Sequence, residues 1–132
     1  VYKRQVDLDL PENMIHIQRT DSVIQLVKYY SMADVFFNPS IEESFGKVTV
    51  EALACGTPVI VYNTTACPEL VGDNCGGVVD LYDKKAAYNL IMEIFFKSKS
   101  FYSNSCIKFV HKRFTKKEGV KKYLDLYKRI SK

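Results

Sequence analysis

The sequence lacks any run of the roughly 20 consecutive apolar residues that a membrane-spanning helix requires. Residues 1–5 contain neither an initiator methionine nor the apolar centre of a signal peptide. We therefore expect a soluble, cytoplasmic chain that is a piece of a longer protein. Its 132 residues suffice for one domain with a sizeable core but not for a two-domain enzyme.

Metal-binding spacing is also missing from the sequence. The cysteines Cys55, Cys67, Cys75 and Cys106 form no C-x-x-C pair and have no histidine partners at the spacing of a zinc site. We therefore predict no bound metal. Without an export signal, reduced thiols are the favoured state, although four cysteines could also form two disulfides and the sequence does not choose among the pairings.

Positive charge is concentrated at the C-terminus. Residues 111–132 contain nine Lys or Arg and two acids, in a chain whose net charge is +4. No basic groove with interleaved aromatic residues accompanies this segment, so nucleic acid is not an expected partner. A solvated helical face is the simplest interpretation, and peripheral contact with the inner face of the membrane remains an alternative.

Short apolar segments alternate with longer amphipathic ones along the chain. This alternation predicts an α/β fold with a Rossmann-like parallel sheet of about four strands, helices on both faces and a helical C-terminal tail. We expect one partial domain over residues 1–132, with an α/β core at 11–97 and C-terminal helices at 98–132. The predicted strands are 14–17, which contains a buried His16, and 34–38, 58–62 and 77–81. The first predicted helix begins at a Thr20 or Asp21 cap. The other predicted helices are 43–55, 84–97, 103–114 and 115–130.

The strongest functional signal lies between the second and third predicted strands. A strand ends there, a polar loop containing Ser44 and Gly46 allows close approach of a ligand, and a helix begins with its free N–H groups pointing outward. Such amides and the helix dipole bind anions, so a diphosphate is the expected ligand. Glu43 and Glu51 flank this junction, and carboxylates are good acceptors for the hydroxyl groups of a ribose or a sugar.

Residues 38–60 resemble the donor-site signature of the retaining glycosyltransferases that have the two-domain GT-B fold (glycosyltransferase family 4). That signature is Glu, seven residues, Glu, followed by Ala and a Gly-x-Pro-Val step, here Glu43 to Glu51, Ala52 and residues 56–59. The flanking segments 29–36 and 68–71 are similar to the family as well. The resemblance covers about residues 11–97 and implies the C-terminal, donor-binding domain of such an enzyme.

The resemblance also implies roles for individual residues. Glu43 would be the catalytic residue near the transferred sugar, and Glu51 would bind the ribose. Two departures from the family pattern are Ser44, where glycine is common, and residues 65–67, where a glycine pair is frequent, which leaves the role of that second loop open. The remaining donor-binding positions are Ser44, Phe45, Gly46, Lys47 and Val48 around the diphosphate and sugar, and Arg19 and Thr20 against the base.

The implied partners follow from the same resemblance. The donor would be a UDP- or GDP-linked nucleotide-diphospho-sugar, used without a further cofactor, and the acceptor would be a sugar or lipid-linked glycan held by an N-terminal domain that this chain does not contain. The fragment alone would then be inactive. A GT-B-fold nucleotide-sugar epimerase and a non-catalytic nucleotide-binding or interaction module are the alternatives, and exposed sheet edges leave self-association open.

Overall fold

The computed structural model describes residues 10–131, so the N-terminal residues 1–5 discussed above lie outside the described part of the chain. A 3₁₀ turn, Cys67–Leu70, lies between the second and third strands. Within the described residues, no helix combines the length and the apolar character needed to cross a membrane. The elements are α1 (Val23–Met32), β1 (Phe36–Asn38), α2 (Lys47–Ala54), β2 (Val59–Tyr62), β3 (Gly76–Val79), α3 (Lys84–Lys97), α4 (Lys99–Arg113) and α5 (Lys116–Ile130).

The three strands form one parallel sheet in the order β1-β2-β3. All four residues of the central strand are buried, from Val59 at 0% exposed to Tyr62 at 7%. Because successive side chains of a strand point to opposite faces, this burial means that both faces of the sheet are covered at β2. The predicted fold class, a parallel Rossmann-like α/β sheet with a helical tail, is confirmed.

The predicted count of four strands is wrong, since residues 14–17 form no strand in the structure. Met14 and Ile15 are 57% and 88% exposed, and His16, expected in the core, is exposed as well. An apolar run of this length becomes a strand only when a neighbouring strand supplies ladder hydrogen bonds and another layer covers its side chains. The described residues provide neither for this segment.

Three helix starts also differ from the predictions. Helix α2 begins at Lys47 instead of near residue 43, because residues 44–45 form a bend that leads into the left-handed Gly46. The side chain of Ser22, rather than that of Thr20 or Asp21, caps α1 by accepting a hydrogen bond from the Gln25 N–H. Helix α4 begins at Lys99 instead of near residue 103, because Ser98 has a left-handed φ of 65° that ends α3. Thr115 caps α5 as predicted.

Helix α4 belongs to the core, whereas α5 lies on the surface. Tyr102 and Cys106 of α4 are 5% and 0% exposed and pack in the same cluster as the strands and α2. The Ser103 hydroxyl donates a 2.7 Å hydrogen bond to the Gly56 carbonyl, which fastens α4 to the end of α2. Helix α5 buries none of its side chains, and Val120, Leu124, Tyr127 and other apolar residues on it are exposed.

Candidate functional site

The loop after β1 leads into the start of α2 through a glycine with a special backbone. Gly46 adopts a left-handed conformation, with φ 75° and ψ 51°, and no side chain caps the helix that follows. A Cβ at this position would lie 2.5 Å from Leu70 Cδ1. The buried amide of Asn38 donates a 3.1 Å hydrogen bond to Thr49 Oγ1, which holds the end of β1 against α2. The first amides of α2 are therefore presented beside a fixed loop and are free of side-chain caps.

Glu51 lies one turn inside α2 and is held from two sides. The Tyr30 hydroxyl of α1 donates a 3.4 Å hydrogen bond to Glu51 Oε2, and Lys47 Nζ lies 3.4 Å from Oε1. The side chain of Lys47 is 83% exposed and that of Glu51 only 34%. Burial and the neighbouring Glu51 charge raise the pKa of Tyr30 above its usual value, so this hydroxyl stays protonated as a donor.

Glu43 lies in the loop before α2, and its backbone is tied to a distant loop. Its N–H donates a 3.0 Å hydrogen bond to Thr65 Oγ1, from a residue 22 positions later in the chain. The neighbouring Thr64 hydroxyl donates to the Ser40 carbonyl at 3.3 Å. Neither Thr65 nor Tyr30 was assigned a role at the site from the sequence. The available signals were the departure of residues 65–67 from the family's glycines and the family-like segment 29–36, which contains Tyr30.

The other predicted positions divide into two groups. Ser44, Phe45, Lys47 and Val48 are exposed at the surface around the start of α2, Glu43 is half-buried and Gly46 is buried. The Phe45 ring packs edge-on against Phe114 at the end of α4, with a centroid distance of 5.8 Å.

Arg19 and Thr20 do not join that surface through any hydrogen bond or ion pair within residues 10–131. Arg19 is paired with Asp21 at 3.6 Å on an exposed surface, and the Thr20 hydroxyl interacts with the Gln25 side chain. A shallow cavity of about 460 Å³ lies over α1 and includes Gln25 and Tyr29, but neither Glu43 nor Glu51 lines it. The structure therefore leaves the predicted base-side contacts of Arg19 and Thr20 as predictions.

The cysteines and acids of the described residues form no group of three or more that could hold a metal ion. All four cysteines have free thiols, and Cys67, Cys75 and Cys106 are buried. A hydrogen bond to Cys75 together with burial raises the pKa of Cys106, which keeps this core thiol neutral.

Comparison of the sequence with known protein families identifies the family of this chain. Residues 2–100 match the family described as glycosyl transferases group 1. The chain belongs to this family. The matched residues include β1, α2, β2 and β3 with both loops described above, and the resemblance predicted from the Glu43 to Glu51 signature is thereby confirmed.

Several relatives of this glycosyl transferases group 1 chain are much longer than it is. It is 31% identical over 121 residues to an uncharacterized 41.2 kDa protein in the cps region of Klebsiella pneumoniae, with 89% of this chain and 33% of that protein covered. It is 48% identical over 60 residues to the D-inositol 3-phosphate glycosyltransferase of Mycolicibacterium smegmatis, with 45% of this chain and 14% of that enzyme covered. It is 46% identical over 57 residues to the O-antigen chain mannosyltransferase B of Escherichia coli, with 43% of this chain and 15% of that enzyme covered. The chain thus spans at most 33% of the length of these relatives.

Proposed function

We propose that this chain is the donor-binding part of a glycosyltransferase that transfers a sugar from a UDP- or GDP-linked nucleotide-diphospho-sugar to an acceptor with retention. The observation that carries the proposal is the uncapped start of α2 with Glu43 before it and Glu51 one turn inside it, in a chain of the glycosyl transferases group 1 family. Retention is part of the proposal and follows from the family resemblance alone.

The electrostatics of the junction favour a diphosphate in spite of the two carboxylates. The start of a helix carries about half of a positive charge, and its free N–H groups point at the ligand. Lys47 Nζ lies 3.4 Å from Glu51 Oε1, so the lysine offsets the carboxylate charge that would repel a phosphate group. In this proposal, the amides of residues 44–48 bind the diphosphate and the sugar hydroxyls.

Each carboxylate has a separate task in the proposed reaction. A carboxylate can accept about four hydrogen bonds, so Glu51 retains acceptor capacity for two ribose hydroxyls beside Tyr30 and Lys47. Glu43 lies next to the transferred sugar. The bond from the anomeric carbon to the diphosphate breaks with its electron pair on the leaving oxygen, and the acceptor hydroxyl forms the new bond and passes its proton to the departing diphosphate.

The acceptor site would lie in the two thirds or more of the polypeptide that the relatives possess beyond the matched part. On its own the chain would bind donor without transferring sugar. Two relatives are named for a cps region and for an O-antigen chain, and these names support a role in polysaccharide biosynthesis. In this proposal the acceptor is a sugar or lipid-linked glycan and the reaction takes place in the cytoplasm.

Calorimetric titration of the chain with UDP-glucose and GDP-mannose tests the proposal. We expect saturable binding of one of them, weakened about 10- to 100-fold by Glu51→Gln, because a hydrogen bond to a charged group contributes about 1.5–3 kcal/mol. Glu93→Gln is the matched control, since this acid is paired with Lys97 on the exposed side of α3.

Three results would redirect the assignment. Equal binding of the donor by wild type and Glu51→Gln would contradict the proposal and favour an interaction module. The same holds if the chain binds neither of the two donors and neither UDP nor GDP. Conversion of the sugar by the complete enzyme without any acceptor would favour the epimerase.

A further inference from the structure

The loop after β2 is folded back onto the loop that carries Glu43. Thr65 Oγ1 accepts the Glu43 N–H at 3.0 Å, and Thr64 Oγ1 donates to the Ser40 carbonyl at 3.3 Å. These two side chains therefore connect loops that follow neighbouring parallel strands. Both strands end at the same edge of the sheet, which is the edge where ligands bind in parallel α/β folds.

The β2 loop is itself fixed at both ends. The Asn63 N–H donates to the Val79 carbonyl at 2.7 Å, and the Cys67 N–H donates to the Thr64 carbonyl at 3.0 Å. Cys67 begins a 3₁₀ turn and is 1% exposed, as expected for a residue that anchors the loop in the core. The position of the Thr65 hydroxyl is therefore determined by the sheet and by this turn.

Thr65 also adopts a backbone conformation that its side chain disfavours. Its φ is 43°, in the left-handed region where a β-branched residue is an outlier. Such a conformation is strained and persists where the surroundings impose it. A glycine at this position would adopt the same φ without strain but would offer no oxygen to the Glu43 amide.

We propose that Thr65 is a positioning residue whose hydroxyl fixes the backbone of Glu43 and so directs its carboxylate toward the transferred sugar. This inference rests on the proposed function. It assigns a role to the loop at residues 65–67, where glycines are frequent in the family. In this chain the Thr65 side chain at that position holds the loop that precedes α2.

The effect should fall on turnover and not on nucleotide binding. Glu51 is oriented by Tyr30 and Lys47, and the amides of α2 are fixed by the helix itself, so neither depends on Thr65. Glu43, by contrast, receives its backbone restraint from Thr65. Misplacement of a reacting group by about 1 Å can lower the rate about 100-fold.

The test compares Thr65→Val with Thr65→Ser in the complete enzyme. Valine keeps the β-branched shape and the strain at φ but removes the acceptor, whereas serine keeps the hydroxyl. Turnover is measured as release of UDP or GDP from whichever of UDP-glucose and GDP-mannose the wild type binds. We expect kcat to fall about 10- to 100-fold in Thr65→Val, with the donor KM within about twofold, and to stay within about threefold of wild type in Thr65→Ser.

The outcomes separate this inference from the proposed function. Wild-type kcat in Thr65→Val, or equal losses in the two variants, would overturn the positioning role while leaving donor binding intact. Failure of the wild type to bind either donor would overturn the proposed function first. If Thr65→Val does not fold by circular dichroism, hydrogen exchange at the Glu43 amide of the wild-type chain decides: protection supports the hydrogen bond to Thr65, and free exchange refutes it.

Discussion

Replacing Gly46 by alanine tests how the start of α2 is built. Gly46 is buried and has φ 75°, a left-handed conformation in which a side chain is strained. The added Cβ would also lie 2.5 Å from Leu70 Cδ1, and Leu70 is only 2% exposed, so its side chain has little room to move away. Thr49 Oγ1, at 3.7 Å, would make an ordinary contact.

Both effects destabilise the folded chain and add to one another. The left-handed conformation costs about 1–2 kcal/mol for a residue with a Cβ. Overpacking against a buried side chain costs about 1–3 kcal/mol. We therefore expect Gly46→Ala to lower the free energy of unfolding by about 2–5 kcal/mol.

Urea denaturation followed by circular dichroism measures this change. Gly119→Ala is the matched control, because an alanine Cβ at position 119 of α5 meets no atom within 4 Å. It should raise the stability by about 0.5–1 kcal/mol through helix propensity. Adding Leu70→Ala to Gly46→Ala should show favourable coupling, since it removes the clash and leaves the strain at φ. A Gly46→Ala chain within about 0.5 kcal/mol of wild type would refute this reasoning.

Two further predictions concern Tyr30 and α5. Because the pKa of Tyr30 is raised above 10.0, the stability it contributes is complete below pH 10 and is lost as the pH rises through the higher folded-state pKa. Denaturation at pH 8 and pH 11 should therefore show wild type and Tyr30→Phe converging at the higher pH, and a constant difference would contradict a raised pKa of Tyr30 in the folded chain. The exposed apolar residues of α5 lie on a lysine-rich helix, so the chain should bind phosphatidylglycerol vesicles more tightly than phosphatidylcholine vesicles in low salt. Leu124→Asp should abolish that binding, and equal binding to both vesicles would argue against peripheral membrane contact.

Most elements of the fold could be predicted because their signals are local. Apolar runs located β1 and β2 within two residues, the capping residue Thr115 located α5, and the bounds predicted for α3 are those observed. The misses depended on tertiary context. The segment 14–17 has the composition of a strand but no neighbouring strand in the described residues. The break between α3 and α4 requires a positive φ at Ser98, and serine is not a residue type that indicates a positive φ.

The candidate site divides in the same way. Glu43, Gly46 and Glu51 lie within one short motif, so the sequence alone could indicate their proximity. Tyr30 and Thr65 contact these acids from 21 and 22 residues away. Such contacts depend on how α1 and the loop after β2 pack against α2, and no local pattern encodes that packing.

The position of α4 late in the chain has a consequence for synthesis on the ribosome. Leu53 of α2 and Cys106 of α4 are both 0% exposed in the finished fold. Leu53 leaves the ribosome first, and at about 5–20 residues per second roughly 3–10 s pass before Cys106 follows. During that interval the nascent sheet and α2 present an uncovered apolar surface, which is the kind of surface that chaperones bind.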